Sequence, residues 1–244
     1  MTEINYEVWK DKELARKFLT GVRGAIPFAN EQIEIMNRMI NSCGISITNI
    51  LDLGCGDGIL AASILQNHPK ASVVLVDISD AMLEFAKEKL AVFSNNLTFI
   101  NTDYVNNKWL KKVKDKAPFS VIVSGFSIHH QTDERKKELY AEIFGLLEKG
   151  GLFLNIEHVS SPTEWVNSLF NDCFIDSLYK MHKQTNENIT KEYVAKEYYR
   201  RDDKASNILA PLEIQCEWLR EIGFSDVDCY FKIFELTLFG GRKL

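Results

Sequence analysis

Five short apolar runs narrow what this chain can become more than any other feature: ITNILDL at 47–53, SVVLVD at 72–77, LTFIN at 97–101, FSVIVSG at 119–125 and LFLNIE at 152–157. Each is apolar almost continuously. A strand with water on one face alternates, whereas a strand covered on both faces does not need to. The segments between the runs carry helix signals. A helix over 58–67 ends before Pro69, and Ser79 can cap a helix over 80–92. Thr132 can cap another, with Asp133 and Glu134 in its first turn, the sign its dipole favours, and it stops at KGG (149–151). This alternation predicts a parallel sheet covered by crossover helices.

The flanks read differently. Residues 5–20 predict a helix with Trp9, Leu14 and Phe18 as its apolar positions. GAIP (24–27) breaks it, and a second helix follows over about 30–42 with Gly44 as its stop. After 160, SPTE (161–164) reads as a capping box with proline at the first helical position, opening a helix to about 182. A further helix is expected over about 190–201, and Pro211 opens one closed by Gly223. DVDCYFK and FELTLFGG then follow so closely that they must form an antiparallel hairpin. The chain is expected to be one domain (1–244): N-terminal lid helices (1–44), a ligand-binding core (45–158), a helical cap (159–210), then the last helix and hairpin (211–244).

Composition excludes some functions. The 244 residues are 45% hydrophobic, enough for a sizeable core, and the net charge is −5 with a pI near 5.6. Broad nucleic-acid binding needs a basic face, so it is not expected. No run of about 18 apolar residues occurs, so no membrane span is expected. The start of the chain has no apolar signal core, so a cytoplasmic location is expected. Cys43, Cys55, Cys173, Cys216 and Cys229 form no CxxC pair, which suggests neither a zinc ribbon nor a disulfide framework. No metal site is expected.

The first run leads into LDLGCGDG (51–58). In a parallel sheet, ligands bind beyond the carboxyl ends of the strands. Glycines there allow a tight turn and let a ligand lie on bare main chain. The dinucleotide fingerprint is GxGxxG, but here Gly54, Gly56 and Gly58 alternate and position 59 is isoleucine. Asp52, at the end of the strand, points into the space a pyrophosphate would fill. A carboxylate there suits a ligand with an ammonium group.

LDLGCGDG resembles the first motif of class I S-adenosylmethionine-dependent methyltransferases, and further matches follow in order. VDIS (76–79), NTDY (101–104), VSGFSIHH (123–130) and LLEKGGLFL (146–154) stand at the corresponding strand ends. The resemblance implies a Rossmann-like α/β fold: a seven-stranded sheet ordered 3-2-1-4-5-7-6 with strand seven antiparallel, plus lid helices and a helical cap. It implies S-adenosylmethionine as cofactor and S-adenosylhomocysteine as product. Asp77 would hold the ribose hydroxyls, flanked by Ile78 and Met82, and Asp103 and Tyr104 would meet the adenine. Asp52, Gly54, Cys55, Gly56 and Gly58 would hold the amino-acid end, and Ser124, Gly125 and Phe126 the methyl end.

Methyl transfer from a sulfonium is an in-line displacement that requires positioning more than covalent chemistry. No Asn-Pro-Pro-Tyr-like segment follows strand four, so a small organic acceptor is expected rather than a nucleotide. His129 and His130 stand where a general base would, with loop packing as the alternative for either. Glu157 and His158 end strand five, where a structural role is expected. Tyr6, Arg23, Tyr199 and Arg200 are the expected acceptor contacts, arginine being suited to a carboxylate. RGAIPFANEQIEIMNRMI (23–40) and the region from Arg200 to EIGF (221–224) also resemble, distantly, carboxy-S-adenosylmethionine synthase. That resemblance implies the alternative of a carboxylated cofactor. A non-catalytic cofactor-binding partner protein is a third reading. A homodimer is a further expectation.

Overall fold

The structure is a computed structural model that describes residues 10–13, 16, 22–93, 96–201, 204 and 206–244, without the side chains of Val22 and Arg23. Tyr6, Trp9 and most of the helix expected over 5–20 lie outside these residues.

Seven strands form one sheet in the order β3-β2-β1-β4-β5-β7-β6. They are β1 (Asn49–Leu53), β2 (Ser72–Asp77), β3 (Leu97–Asn101), β4 (Phe119–Gly125), β5 (Leu147–His158), β6 (Ser225–Ile233) and β7 (Leu236–Arg242). The first five pair in parallel, while β7 runs antiparallel to both β5 and β6. The expected strand order is therefore the observed one. The helices are α1 (Ala29–Asn41), α2 (Ile59–Asn67), α3 (Asp80–Leu90), the four-residue α4 (Leu110–Val113), α5 (Asp133–Leu146), α6 (Glu164–Lys183), α7 (Lys191–Tyr199) and α8 (Leu212–Ile222).

The unbroken apolar runs have a direct cause. Val73 and Leu75 of β2 pack with α1, α2 and α3 on one face of the sheet. Val74 and Val76 pack with α5 and α8 on the other. Both faces are covered, so both sets of alternating positions must be apolar. A third cluster lies in the cap, where Phe170, Phe174, Leu178, Val194 and Tyr198 pack with Ala25 and Leu236.

Local capping follows the sequence with one correction. The Ser79 and Thr132 hydroxyls accept from the Met82 and Arg135 amides as expected, and Gly223 closes α8 in the left-handed region. The cap of α6, however, is Thr163, whose hydroxyl accepts from the Val166 amide, and the helix starts at Glu164. Ser161 donates instead to Glu235, so its hydroxyl serves a tertiary contact. Strand β5 also begins earlier than the apolar run, at Leu147, because Leu147 pairs with Phe119. Lys243 Nζ donates to the Phe144 and Leu147 carbonyls that the end of α5 leaves open.

One buried polar cluster positions the segment after β3. Arg135 of α5 donates from Nε to the Tyr104 carbonyl at 2.9 Å and holds Glu142 with both terminal nitrogens, at 2.9 and 2.6 Å. Trp109 Nε1 donates to the same carboxylate at 2.7 Å. Asp103 and Tyr104 are thereby fixed against the sheet end. No described helix is long and apolar enough to cross a membrane.

Candidate active site

The carboxyl ends of β1, β2 and β4 open onto a cavity of about 610 Å³, walled on the far side by α1, α6 and the end of α7. The glycine loop forms its floor. Gly54, Gly56 and Gly58 all have positive φ, at 70°, 53° and 75°, a region costly for residues with a Cβ. The Gly54 and Cys55 amides donate to the Val76 carbonyl at 2.8 and 2.9 Å, which ties the loop to β2. A Cβ on Gly54 would stand 1.9 Å from Ser127 Oγ. Gly58 is not on the cavity wall. A Cβ there would meet Leu75, Ala86 and Leu90, so its smallness serves helix packing.

Asp77 is held at both carboxylate oxygens by main-chain amides. One carboxylate oxygen accepts from the Gly56 amide and the other from the Ser79 amide, each at 2.8 Å. Each oxygen retains a second lone pair for a hydroxyl. Burial raises its pKa to about 6, against the lowering effect of backbone hydrogen bonds from Ser79, Gly56 and Ile78. Asp52, Asp57 and Asp103 line the same end. Asp52 accepts from the Ala61 amide at 3.1 Å in the first turn of α2, and Asp103 accepts from the Val105 amide at 2.6 Å. Asp57 pairs with Lys89. Cys55, Ile78, Met82 and Tyr104 also reach the wall. The Cys55 thiol is pushed well up by burial and by Asp77, Asp52 and Asp57, so it is held protonated. Tyr104, its hydroxyl bonded to Ser127, is likewise raised by burial.

At the other end the structure departs from the sequence reading in one strand residue. Ser124 is fully buried, donates to the Leu53 carbonyl at 2.7 Å and does not reach the cavity. It bolts β4 to β1. Gly125, Phe126 and Ser127 do reach it. Phe126 adopts φ 50°, an uncommon conformation for a bulky residue, while its amide donates to the Ile156 carbonyl at 2.8 Å.

Both histidines after β4 line the cavity. His129 Nδ1 lies 2.5 Å from Glu157 Oε1, and its backbone amide donates to Glu157 Oε2 at 3.0 Å. The His158 amide donates to the same carboxylate at 2.8 Å. With Nδ1 donating to Glu157, Nε2 is the basic nitrogen of the ring. Burial raises Glu157 to about 6, against the opposing effects of the His158 amide, His130, Lys136 and His158. His130 Nδ1 sits 3.2 Å from both oxygens of Ser206. A second pair stands beside the first: His158 Nε2 is 2.6 Å from Glu235 Oε2, and the His129 and His158 rings are 5.9 Å apart. Among the described residues, no three His, Cys, Asp or Glu side chains converge as a metal ion would require.

Of the four expected acceptor contacts, Tyr6 and the Arg23 side chain lie outside the described residues. Tyr199 and Arg200 are exposed and off the cavity wall, whereas Tyr198 and Arg201 are on it. The helical period explains the shift by one. Val194 and Tyr198 are one turn apart and both buried, so Tyr199 turns to solvent. That spacing was available in the sequence. Ser127 lies within the segment 123–130 already singled out and Lys204 just past Arg200, whereas Glu235 acts on His158 from a distant part of the chain.

The residues present suit a ligand with a sulfonium, a ribose and an ammonium group. Gln32 lines the cavity, donates from Nε2 to the Pro27 carbonyl at 3.1 Å, and keeps its carbonyl oxygen buried with no hydrogen-bond partner. Such an atom is costly unless a donor reaches it, and an ammonium is such a donor.

The methyltransferase domain family matches residues 50–151. The carboxy-S-adenosyl-L-methionine synthase of Nautilia profundicola is 23% identical over 224 residues, covering 91% of this chain and 88% of that protein. Malonyl-[acyl-carrier protein] O-methyltransferase 1 of Ilyobacter polytropus is 39% identical over 103 residues, 42% of this chain and 35% of that protein. An O-methyltransferase family protein from Burkholderia thailandensis superimposes with a TM-score of 0.59 at 14% identity, over 97% of this chain and 66% of that one. The chain thus spans just under two thirds of that solved chain. Strand order, glycine loop and family match agree: the chain has the fold of the class I S-adenosylmethionine-dependent methyltransferases, its residues 50–151 match their methyltransferase domain, and it is distantly similar to the carboxy-S-adenosyl-L-methionine synthases.

Proposed function

We propose that the protein transfers a methyl group from S-adenosylmethionine to a hydroxyl of a small organic acceptor, with His129 as general base. The observation that carries this is the His129–Glu157 pair on the wall of the cavity whose floor is the glycine loop. The cofactor, when bound, supplies an electrophilic methyl group. Asp77 would accept from its ribose hydroxyls and Gln32 from its ammonium, with Asp103 and Tyr104 toward its adenine. Phe126 lines the cavity, and Ser127 lines it beside Gly54 and Tyr104. His129 would take the acceptor's proton at Nε2. Glu157 holds the ring in the required tautomer and stabilises the imidazolium that forms. The helical cap keeps water from the reacting atoms.

Calorimetry with S-adenosylhomocysteine, followed by its detection as product after incubation with S-adenosylmethionine and a metabolite extract, tests this reading. Binding plus product formation that His129→Gln abolishes supports it. Product formation unaffected by that change removes His129 from the mechanism, and tight binding with no product from any extract favours the non-catalytic reading.

A second reading has its own support. The carboxy-S-adenosyl-L-methionine synthases are similar along nine tenths of the chain, and Arg201 and Lys204 line the cavity. Mass spectrometry of the ligand that co-purifies with the protein separates the two readings by the mass of one carboxyl group.

A further inference from the structure

At the cap end of the cavity a second imidazole–carboxylate pair stands on the wall, and proton abstraction at His129 makes no use of it. His158 closes β5 and lines the cavity. Glu235 sits in the turn between β6 and β7 and is 1% exposed. A carboxylate so buried is costly unless donors surround it. Its Oε1 accepts from Ser161 and from Asn167 Nδ2, the latter at 2.8 Å, and its Oε2 accepts from His158 Nε2 at 2.6 Å. Burial would raise Glu235, but hydrogen bonds from His158, Ser161 and Asn167 hold it below the usual carboxylate range, so it stays ionised.

The bond to an ionised carboxylate fixes which ring nitrogen is protonated. Nε2 donates, so in the neutral ring Nδ1 carries the lone pair. Nδ1 bonds to none of the described residues, yet it is not one of their buried, unpartnered polar atoms. It is therefore open to the space that His158 lines, which is the cavity. The ring is held in place from three sides. The His158 amide donates to Glu157 at 2.8 Å, the Val159 amide donates to the Glu235 carbonyl at 2.8 Å, and Phe170 packs 5.2 Å from the ring. Behind Glu235, Asn171 Nδ2 donates to Asn167 at 2.9 Å and Tyr198 donates to Asn171 at 2.7 Å, which ties the pair to the cap. Satisfied polar chains of this kind fix a geometry. The His129 and His158 rings are 5.9 Å apart. His129 meets its carboxylate with Nδ1 and His158 with Nε2, so two imidazoles of opposite tautomer stand on one wall.

We infer that His158 binds the methyl acceptor: its Nδ1 accepts a hydrogen bond from a second O–H or N–H of that molecule, beside the hydroxyl that His129 deprotonates. The acceptor class is therefore a small molecule with two proton donors a few bonds apart, such as a diol or an amino alcohol. The inference rests on the methyltransferase reading above and deepens it. A ligand whose second donor is methylated displaces water from Nδ1 without replacing its hydrogen bond, and that loss is what separates near-identical ligands. Glu235 is a positioning residue that acts through the tautomer of the ring.

The test uses the full-length protein saturated with S-adenosylhomocysteine. A proton–nitrogen NMR spectrum of isotope-labelled protein should show one histidine ring, absent in His158→Gln, that is protonated at Nε2 and bare at Nδ1. A proton on Nδ1 overturns the inference. Glu235→Gln should populate the other tautomer, and an unchanged spectrum overturns its positioning role. Catechol, resorcinol and ortho-aminophenol are then titrated by NMR, each against the analogue whose second donor is methylated. At least one should bind about fivefold or more tighter than its methylated partner. Two amide variants separate binding from scaffolding. Glutamine reaches Glu235 as Nε2 does but presents nothing at the place of Nδ1. His158→Gln should therefore bring the ratio close to one and leave S-adenosylhomocysteine affinity and melting temperature unchanged. Asparagine puts its oxygen near the place of Nδ1 and falls short of Glu235, so His158→Asn should keep the ratio and lower the melting temperature. A ratio that survives His158→Gln, two donors that bind no better than one, or no binding by any probe overturns the inference while the cofactor reading stands. Failure of S-adenosylhomocysteine itself to bind overturns the methyltransferase reading and the inference with it.

Discussion

At the glycine-loop end of the cavity, main chain forms much of the surface, and the loop and Asp77 come from strands adjacent in the sheet. Asp77 is held by the amides of Gly56 and Ser79, and the loop by one carbonyl of β2. At the cap end, side chains from five separate segments do the holding: His129 on Glu157, His158 on Glu235, Tyr198 on Asn171. The first end can be built once the parallel sheet forms. In the second, the His129–Glu157 pair forms across the neighbouring strands β4 and β5, but the bonds through Asn167, Asn171 and Tyr198 exist only after the cap has docked on the β6–β7 hairpin. A family can therefore keep one end while varying the other, and cofactor and acceptor recognition should fail separately when mutated.

The largest expected effect tests that separation directly. His129→Gln should lower the rate of S-adenosylhomocysteine release from S-adenosylmethionine by roughly 10²–10⁴-fold, the usual contribution of a general base, with little change in cofactor affinity by calorimetry. Equal losses in both would merge the two ends into one functional unit.

Asp77→Ala is the converse. Loss of two charge-assisted hydrogen bonds should weaken S-adenosylhomocysteine binding by roughly 100-fold. Unchanged affinity would remove Asp77 from the cofactor site. Gly54→Ala should cost about 2–3 kcal/mol of stability through positive-φ strain and the clash with Ser127, visible as a fall of about 5–10 °C in melting temperature. Gly44→Ala, at φ 81° but facing open space, should cost about 1 kcal/mol. Similar falls for both would mean that Ser127 yields easily.

The smallest effect is on pH. Asp77 and Glu157 are each raised to about 6 in the folded protein, above their unfolded values near 4. The stability each contributes is therefore fully present below about pH 4 and is lost as pH rises through about 6. The proposed function requires the ionised forms, so cofactor affinity and turnover should rise over the window in which these two groups destabilise the free protein. Calorimetry and thermal melts of ligand-free protein from pH 5 to 8 would show opposite slopes. Parallel slopes would contradict the burial of these carboxylates.

Much of the glycine-loop end, the proposed cofactor site, was legible because its signals are local. A glycine needed for positive φ, an aspartate closing a buried strand and a serine capping the next helix all lie within a few residues of one another. Gly58 and Ser124 show the limit of that legibility. They sit in the right motif, yet Gly58 is small for the sake of Leu75, Ala86 and Leu90, and Ser124 spends its hydroxyl on Leu53. The acceptor end was legible only as a neighbourhood: the EYYRR segment was singled out, but its wall-facing members were displaced by one position.

By itself the sequence determined the parallel sheet, the glycine loop and the acid after the second strand, because continuous apolar runs and backbone constraints act over short spans and leave few alternatives. Tertiary structure alone decided that Glu157 backs His129, that Glu235 backs His158, and that a chain through Asn167 and Asn171 ties His158 to Tyr198. Those pairings join residues tens of positions apart. Which partner a buried polar group finds depends on how the cap and the terminal hairpin pack, and no spacing along the chain encodes that.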